Sequence, residues 1–391
     1  MGVIPPIEGT CDARFAAIRD GFAANFAEHG EYGAAVTVVL DGHTVVDLWG
    51  GHVDAERRAP WRCDTLADVF SVGKAFTTLC ALVLAHRGLL DFDAPVASYW
   101  PEFAAAGKEA ITVRQVLCHQ AGLPAIRRPL ADDAMFDWQV MTAALEAQQP
   151  WWTPGTRHGY HVNTFGFLVG EIVRRASAGT ARGRRTLGKF LRDEITGPLG
   201  ADVHIGVAPS DEERVAEFVW LPELAIPAVG DGPFTDAQLM AFNTYFNPRG
   251  FSGHDVVNTS AWRRAEIPSA NCHASAAGVA RVYTALCAGG TLGGIEIVGR
   301  DVLGEATTEH VNGMDAVLER ESRFGLGFQL SRPERAIGPN AGVFGHFGAG
   351  GSLGFADPEA GVAFGYVMNR MGPRWQNPTN RRLIDALYSC L

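Results

Sequence analysis

The chain has 391 residues, 47% of them apolar, and a formal net charge of -10. That composition suits a globular protein of one large or two closely joined domains, and it excludes both a disordered chain and the basic footprint of a nucleic-acid binder. No stretch approaches the length of a membrane span, and the first residues lack the basic start and apolar core of an export signal, so the expectation is a cytoplasmic protein without membrane association.

Residues 12–28 place Phe15, Ile18, Phe22 and Phe26 at helical spacing and predict a helix that buries one face. Residues 34–40 and 43–49 are β-rich runs joined by Asp41 and Gly42, a strong hairpin signal. From Ser71 the texture turns helical, with predicted helices at 71–87 (closed by Gly88), 113–118 (capped by Thr112), 136–148, and 163–176 with Asn163 as its cap. A further helix is predicted at 274–288, ended by Gly289 and Gly290. Strand patterns return at 325–330, 343–347, 353–356 and 362–369, and residues 380–391 read as a final helix. Strands at both ends around a helical middle predict an α/β protein of the α+β type. Its central antiparallel sheet is built from both termini and flanked by helices, with a large helical region inserted. The expected parts are a discontinuous sheet domain, 1–68 plus 290–391, and a mainly helical domain, 69–289, with the active site at their junction.

Only three of the 33 basic residues are lysines, and one of them, Lys74, stands three residues after Ser71 at the start of a strongly apolar helix. Arginine cannot give up its proton, so a lysine kept in an arginine-rich chain points to proton chemistry. Ser and Lys three apart share a helix face, and the free amides and positive dipole end of a helix start favour negative charge at the serine or on a reacting carbonyl. Standing alone, S-x-x-K reads by default as a plain helix cap beside a solvated lysine. A second group, from Pro154 to Tyr160, is a turn-rich approach that delivers Tyr160 to the start of a helix, where a phenol beside an ammonium is favoured as the anion and can act as a base. A third, from Gly345 to Ser352 on a late strand, has the glycines that let a substrate approach backbone closely, and one amide there could join that of Ser71 in an oxyanion hole.

Other patterns carry less. Seven scattered cysteines without a CxxC pair read as buried reduced thiols, and His158 and His161 lack a third ligand, so neither a metal nor a cofactor is expected. Gly350 to Gly354 matches G-x-S-x-G, but β-patterned residues follow Ser352 and no histidine follows His346, against the order of an α/β-hydrolase triad. Gly183 to Lys189 looks like a phosphate loop until Phe190 takes the place of its Ser or Thr, and reads as a basic loop entering a helix.

Ser71 with Lys74, then Tyr160, then His346, Phe347 and Gly348 follow the order of motifs in the serine β-lactamase and penicillin-binding-protein superfamily. The chain most resembles family VIII carboxylesterases, relatives of class C β-lactamases. The stretch from Val116 to Leu123 is similar to the LLxHxxGL segment of that family, and the likeness runs from about Gly33 to Arg370. The resemblance implies a serine esterase acting on small or short-chain carboxylic esters through a Ser71 acyl-enzyme, with acyl transfer as a side activity. It further implies Lys74 and Tyr160 as the proton-handling pair, Ser71 and Ala349 amides as the oxyanion hole, and His346, Phe347, Gly348 and Trp152 as substrate contacts. Segments 124–152 and 242–254 are expected to shape specificity. Class C enzymes carry Y-x-N, which would fall on Val162, whereas the asparagine here is Asn163; their K-T-G triplet is replaced by His346, Phe347 and Gly348. Both departures favour neutral esters over penicillins. The rival readings are a β-lactamase or D-alanyl-D-alanine peptidase, and a catalytically silent scaffold of the same fold. Nothing in the sequence sets the oligomeric state.

Overall fold

The computed structural model describes residues 4–221 and 234–391. Within them, nine strands form one sheet in the order Ile7–Cys11, His43–Gly51, Gly33–Leu40, Val362–Met368, Leu353–Asp357, Phe344–Phe347, Gln329–Leu330, Glu321–Phe324 and Val311–Met314, each antiparallel to its neighbour. The N-terminal hairpin closes as expected: Leu40 faces His43 across Asp41 and Gly42, both at positive φ (49° and 81°), the conformation that a two-residue turn needs to match strand twist. Val362–Met368 then pairs along the whole of Gly33–Leu40, which joins the two ends of the chain in one sheet. Ile7–Cys11 was not legible as a strand because its side chains are largely exposed and its place rests on backbone pairing alone.

The helix Ala276–Cys287 packs on the three central strands, while Ala16–His29 and the last helix, Pro378–Ser389, pack together. Elsewhere the helical reading needs adjustment. Residues 325–330 are not one strand: Glu321–Phe324 and Gln329–Leu330 are separate strands, and the Gly325 amide bonds back to the Phe328 carbonyl (3.0 Å) in the turn between them. A small sheet joins Ala67–Asp68, just ahead of the inserted region, to Cys272–Ala274 and Val203–Ile205 within it, strands too short to leave a period in the sequence. Cys63 is exposed and Cys11, Cys287 and Cys390 are half-buried, so only three of the seven thiols are core residues. We propose the same two-part division of the chain, with Ala276–Cys287 counted with the sheet that it covers.

The helix that follows Ser71, Gly73–His86, is buried at every position from Gly73 to Leu84, on its polar as well as its apolar residues. Burying a large aliphatic side chain contributes about 1.5–3 kcal/mol, so this helix is anchored on all sides and holds its first turn rigidly. It packs against Thr164–Ala176, the helix that Tyr160 leads into. Among the described residues no helix is long and apolar enough to cross a membrane.

Candidate active site

Ser71 lies in a single 3₁₀ turn, Phe70–Val72, that runs directly into the buried helix. Three features fix this turn. The Asp68 carboxylate accepts the Phe70 amide (2.8 Å) and the Trp262 indole N–H (2.9 Å), and Phe70 itself takes a left-handed φ of 47°. Gly73 lets the helix sit against the neighbouring strand, since a Cβ there would come within 2.6 Å of Cys272 Cβ and 2.7 Å of the Pro268 carbonyl. As the second residue of its helix, Ser71 has no preceding turn to accept its N–H.

Burial moves the Asp68 carboxyl from its ordinary 3.8 to about 8, partly opposed by the bonds from Trp262 and Phe70. A carboxyl raised in this way lends stability that is complete below its unfolded pKa and is lost as pH climbs through about 8, by up to ~1.4 kcal/mol per pH unit. Asp68→Asn, which cannot titrate, is therefore expected to gain on wild type in urea unfolding between about pH 5 and pH 8. A gap that stays constant over that range would show the carboxyl to be ionised throughout.

Lys74 reaches Ser71 from one turn further along. Its Nζ lies 3.0 Å from Ser71 Oγ and 3.1 Å from the Ser269 carbonyl, and the residue is fully buried. Among the described residues no carboxylate bonds to this amine. Burial alone pushes its pKa well below the ordinary lysine value, which favours the neutral amine. Ser269 was not legible as part of the site; its carbonyl orients the amine while its hydroxyl accepts the Gly166 amide (2.7 Å).

Tyr160 is brought to this pair by a loop tied at several points to the segment Val116 to Leu123. The Gly159 amide bonds to the His119 carbonyl (3.0 Å), the His161 amide to His119 Nδ1 (3.2 Å), and the Leu123 amide to His161 Nε2 (3.0 Å). Asp315 then clamps the tyrosine backbone, both carboxylate oxygens accepting the Tyr160 amide (3.0 and 3.2 Å). The Tyr160 ring stacks on Phe324 (5.8 Å), meets Trp375 edge-on (5.1 Å) and packs beside His119 (4.9 Å) and His346 (6.0 Å), with Lys74 Nζ 4.8 Å from its centre. The hydroxyl is buried and, among the described residues, makes no well-formed hydrogen bond. Burial raises the phenol well above its usual value, and the nearby Ser71 side chain pulls it only partway back. The sequence leaves open which of the two holds the proton at rest. Buried together, the amine and phenol favour a neutral Lys74 and a protonated Tyr160, rather than an ammonium beside a phenolate.

The late strand completes the pocket. Gly348 must be glycine, because a Cβ would stand 2.2 Å from the Val69 carbonyl, just ahead of the Ser71 turn. Ser352 Oγ also bonds to that carbonyl (3.0 Å), so the G-x-S-x-G serine is a structural tie, and the strand Leu353–Asp357 follows it instead of a helix. Ala349 comes next to Gly348 and is half-buried.

This arrangement, a serine and a buried lysine on one turn facing a tyrosine and a glycine-bearing strand, has relatives. The Beta-lactamase family model matches residues 18–389. The chain belongs to the beta-lactamase family. Within that family, Esterase/beta-lactamase LipL of Mycobacterium tuberculosis is 38% identical over 93% of this chain and 83% of its own length. A family VIII carboxylesterase of known structure is 40% identical with a TM-score of 0.90, covering 99% of this chain and 100% of that one. A penicillin-binding protein homolog from Caulobacter crescentus is similarly close, 41% identical with a TM-score of 0.89 over 99% of this chain and 100% of that one.

Against the beta-lactamase family pattern, two expected contacts fall elsewhere. His346 is fully buried; its Nδ1–H donates to the Phe347 carbonyl (2.7 Å), which leaves Nε2 as a buried acceptor and the ring packed beside Tyr160 rather than exposed to a substrate. Burial chiefly lowers its pKa to about 3, so it is a neutral ring. Trp152 is buried in the wall behind the Tyr160 loop, against His161 and bonded to the Arg157 carbonyl (3.1 Å), because Gly159 leaves it room there. Phe347, by contrast, lines a cleft of about 580 Å³ that also has Phe324 and Trp375 in its walls. Asn163 sits at the start of its helix without capping it: the side-chain amide is spent on the Thr244 carbonyl (3.0 Å) and Ser252 Oγ (2.9 Å). His158 and His161 are buried, hydrogen-bonded residues. His158 bonds to Ser322 (2.9 Å), whose hydroxyl donates to Asp315, and His161 bonds to the Gly159 carbonyl (2.6 Å).

Proposed function

We propose that this beta-lactamase family member is a serine carboxylesterase working through an acyl-enzyme on Ser71. The observation that carries the reading is the 3.0 Å approach of a buried, carboxylate-free Lys74 amine to Ser71 Oγ. A neutral amine at that distance can take the hydroxyl proton as Oγ attacks the ester carbonyl. The amides of Ser71 and Ala349 are assigned to the oxyanion, where fixed dipoles stabilise charge that develops only in the transition state. Tyr160, protonated, gives a proton to the leaving alkoxide and is replenished by Lys74; water then attacks the acyl carbonyl by the reverse proton path. The similarity to LipL and to a family VIII carboxylesterase supports this chemistry. Acyl transfer to an alcohol in place of water is a natural side reaction of the same intermediate, and seven free thiols without a disulfide suit a reducing, cytoplasmic compartment.

Esters are favoured over β-lactams by a specific observation: the asparagine after Tyr160 is bound into Thr244 and Ser252 and is not free to hold a β-lactam amide. Hydrolysis of p-nitrophenyl butyrate and nitrocefin, measured side by side for wild type and Ser71→Ala, tests the reading. The ester is expected to be the far better substrate and to lose essentially all turnover in the variant. Faster nitrocefin hydrolysis would assign the enzyme to β-lactams, and unchanged ester hydrolysis in the variant would remove Ser71 as nucleophile.

A further inference from the structure

The cleft lined by Phe347, Phe324 and Trp375 carries more basic than acidic side chains. Five arginines line it, Arg320, Arg323, Arg332, Arg335 and Arg374, against Glu319, Glu321 and Glu334. Two of the five are already neutralised: Arg323 pairs with Glu309 (2.7 Å), and Arg332 with Glu321 and Glu334 (3.3 Å each). Arg320, Arg335 and Arg374 have no ion-pair partner among the described residues, and the carboxylates set against them are Glu319 in the same lining, Asp315 on the Arg320 side and Glu334 on the Arg335 side. Arg320 is half-buried over the Trp375 ring (4.6 Å), and its charge is disfavoured first by burial and next by the nearby charge of Arg335. Asp315 offsets part of the Arg320 charge and Glu334 part of that of Arg335, and an anion drawn between the three arginines would complete that neutralisation. The same Trp375 and Phe324 rings that line this cleft also touch Tyr160, which sets the cleft next to the Ser71 site.

We propose that Arg320, Arg335 and Arg374 form an anion subsite, and that the preferred substrates are carboxylic esters bearing a carboxylate on the arm that enters this cleft. The inference rests on the serine-esterase reading above and adds the substrate class. The bond chemistry is unchanged: the ester C–O bond breaks, water supplies the hydroxyl, and the carboxylate arm leaves intact on one product. Guanidinium groups serve this role because they stay charged and bind carboxylates through paired N–H donors.

Two matched pairs of substrates test it. Mono-p-nitrophenyl suberate against its methyl-capped ester places the charge on the acyl side, and 4-butyryloxybenzoate against its methyl ester places it on the alcohol side. At low salt the acid of at least one pair is expected to exceed its capped partner in kcat/KM by about tenfold, with the advantage shrinking in 0.5 M NaCl as the field is screened. In Arg335→Gln, at an exposed position that tolerates substitution, the acid-to-capped ratio should fall several-fold. Wild-type enzyme that hydrolyses the capped esters at least as well as both acids overturns the anion subsite while leaving the esterase reading intact. Failure to hydrolyse any of the four overturns the esterase reading itself.

Discussion

Enzyme carrying Lys74→Arg is expected to lose ester turnover by about three orders of magnitude or more, the scale seen when a positioned base is removed from a nucleophile that depends on it. The substitution keeps positive charge in place, so it separates charge from proton exchange. A guanidinium cannot deprotonate in a protein. The wild-type amine, in contrast, is held toward its neutral form by complete burial, with Ser71 Oγ and the Ser269 carbonyl as its hydrogen-bond partners among the described residues. Forcing a permanent, larger cation into that space also leaves a buried charge without a counterion, so a lower unfolding midpoint should accompany the loss. Lys74→Met, which fills the space without charge, is expected to recover the stability and not the activity. The wild-type rate should rise with pH as the amine deprotonates, with its limb below the ordinary lysine range, and the raised phenol pKa predicts no alkaline fall from Tyr160 ionisation at ordinary working pH. Appreciable p-nitrophenyl butyrate turnover by Lys74→Arg would show that the proton does not pass through this residue.

Tyr160→Phe should separate activity from stability in the opposite sense. Its hydroxyl is buried with only a loose contact to the Ser71 side chain among the described residues, whereas its ring is held by Phe324, Trp375, His119 and His346 and its backbone by Asp315. Phenylalanine keeps every one of those ring contacts and removes a buried polar atom whose unmade bond costs about 1–3 kcal/mol. The variant is expected to be at least as stable as wild type by urea unfolding. Its kcat should nonetheless fall by about 10²–10⁴, the range for loss of a general acid. The largest fall should come with esters of poor leaving alcohols and the smallest with p-nitrophenol, which leaves without a proton. A uniform fall across leaving groups would instead assign the hydroxyl to another step.

Local patterns carried much of this site in the sequence. Ser71 and Lys74 lie one turn apart, and the turn residues ahead of Tyr160 and the glycines around His346 are short-range signals. The groups that hold them were not visible because they arrive from far along the chain. Asp315 reaches the Tyr160 backbone from 155 residues away, and Ser269 reaches Lys74 from 195. Neither belongs to a periodic run or a recognisable spacing. The direction of a side chain was equally hidden: His346 and Trp152 have the residue types of a substrate wall, yet the sheet register turns one inward and Gly159 gives the other a slot in the core. Protonation followed the same logic, since the sequence supplies an amine and a phenol but not the burial that neutralises both. The replacement of the K-T-G lysine pointed to neutral esters, whereas the arginines that reopen the question of charge come from separate loops that meet only in the folded cleft. For the fold, the hairpin and the long helices were clear, while strands of two or three residues and an exposed edge strand were not.

The most direct test of the account is the intact mass of the enzyme quenched in acid during turnover of p-nitrophenyl butyrate. A single added butyryl group is predicted, mapped by peptide fragmentation to Ser71 and absent from Ser71→Ala, and it should accumulate further in Tyr160→Phe if deacylation also needs the phenol. Turnover with no covalent adduct at any quench time, or an adduct on a different residue, would contradict the Ser71 acyl-enzyme.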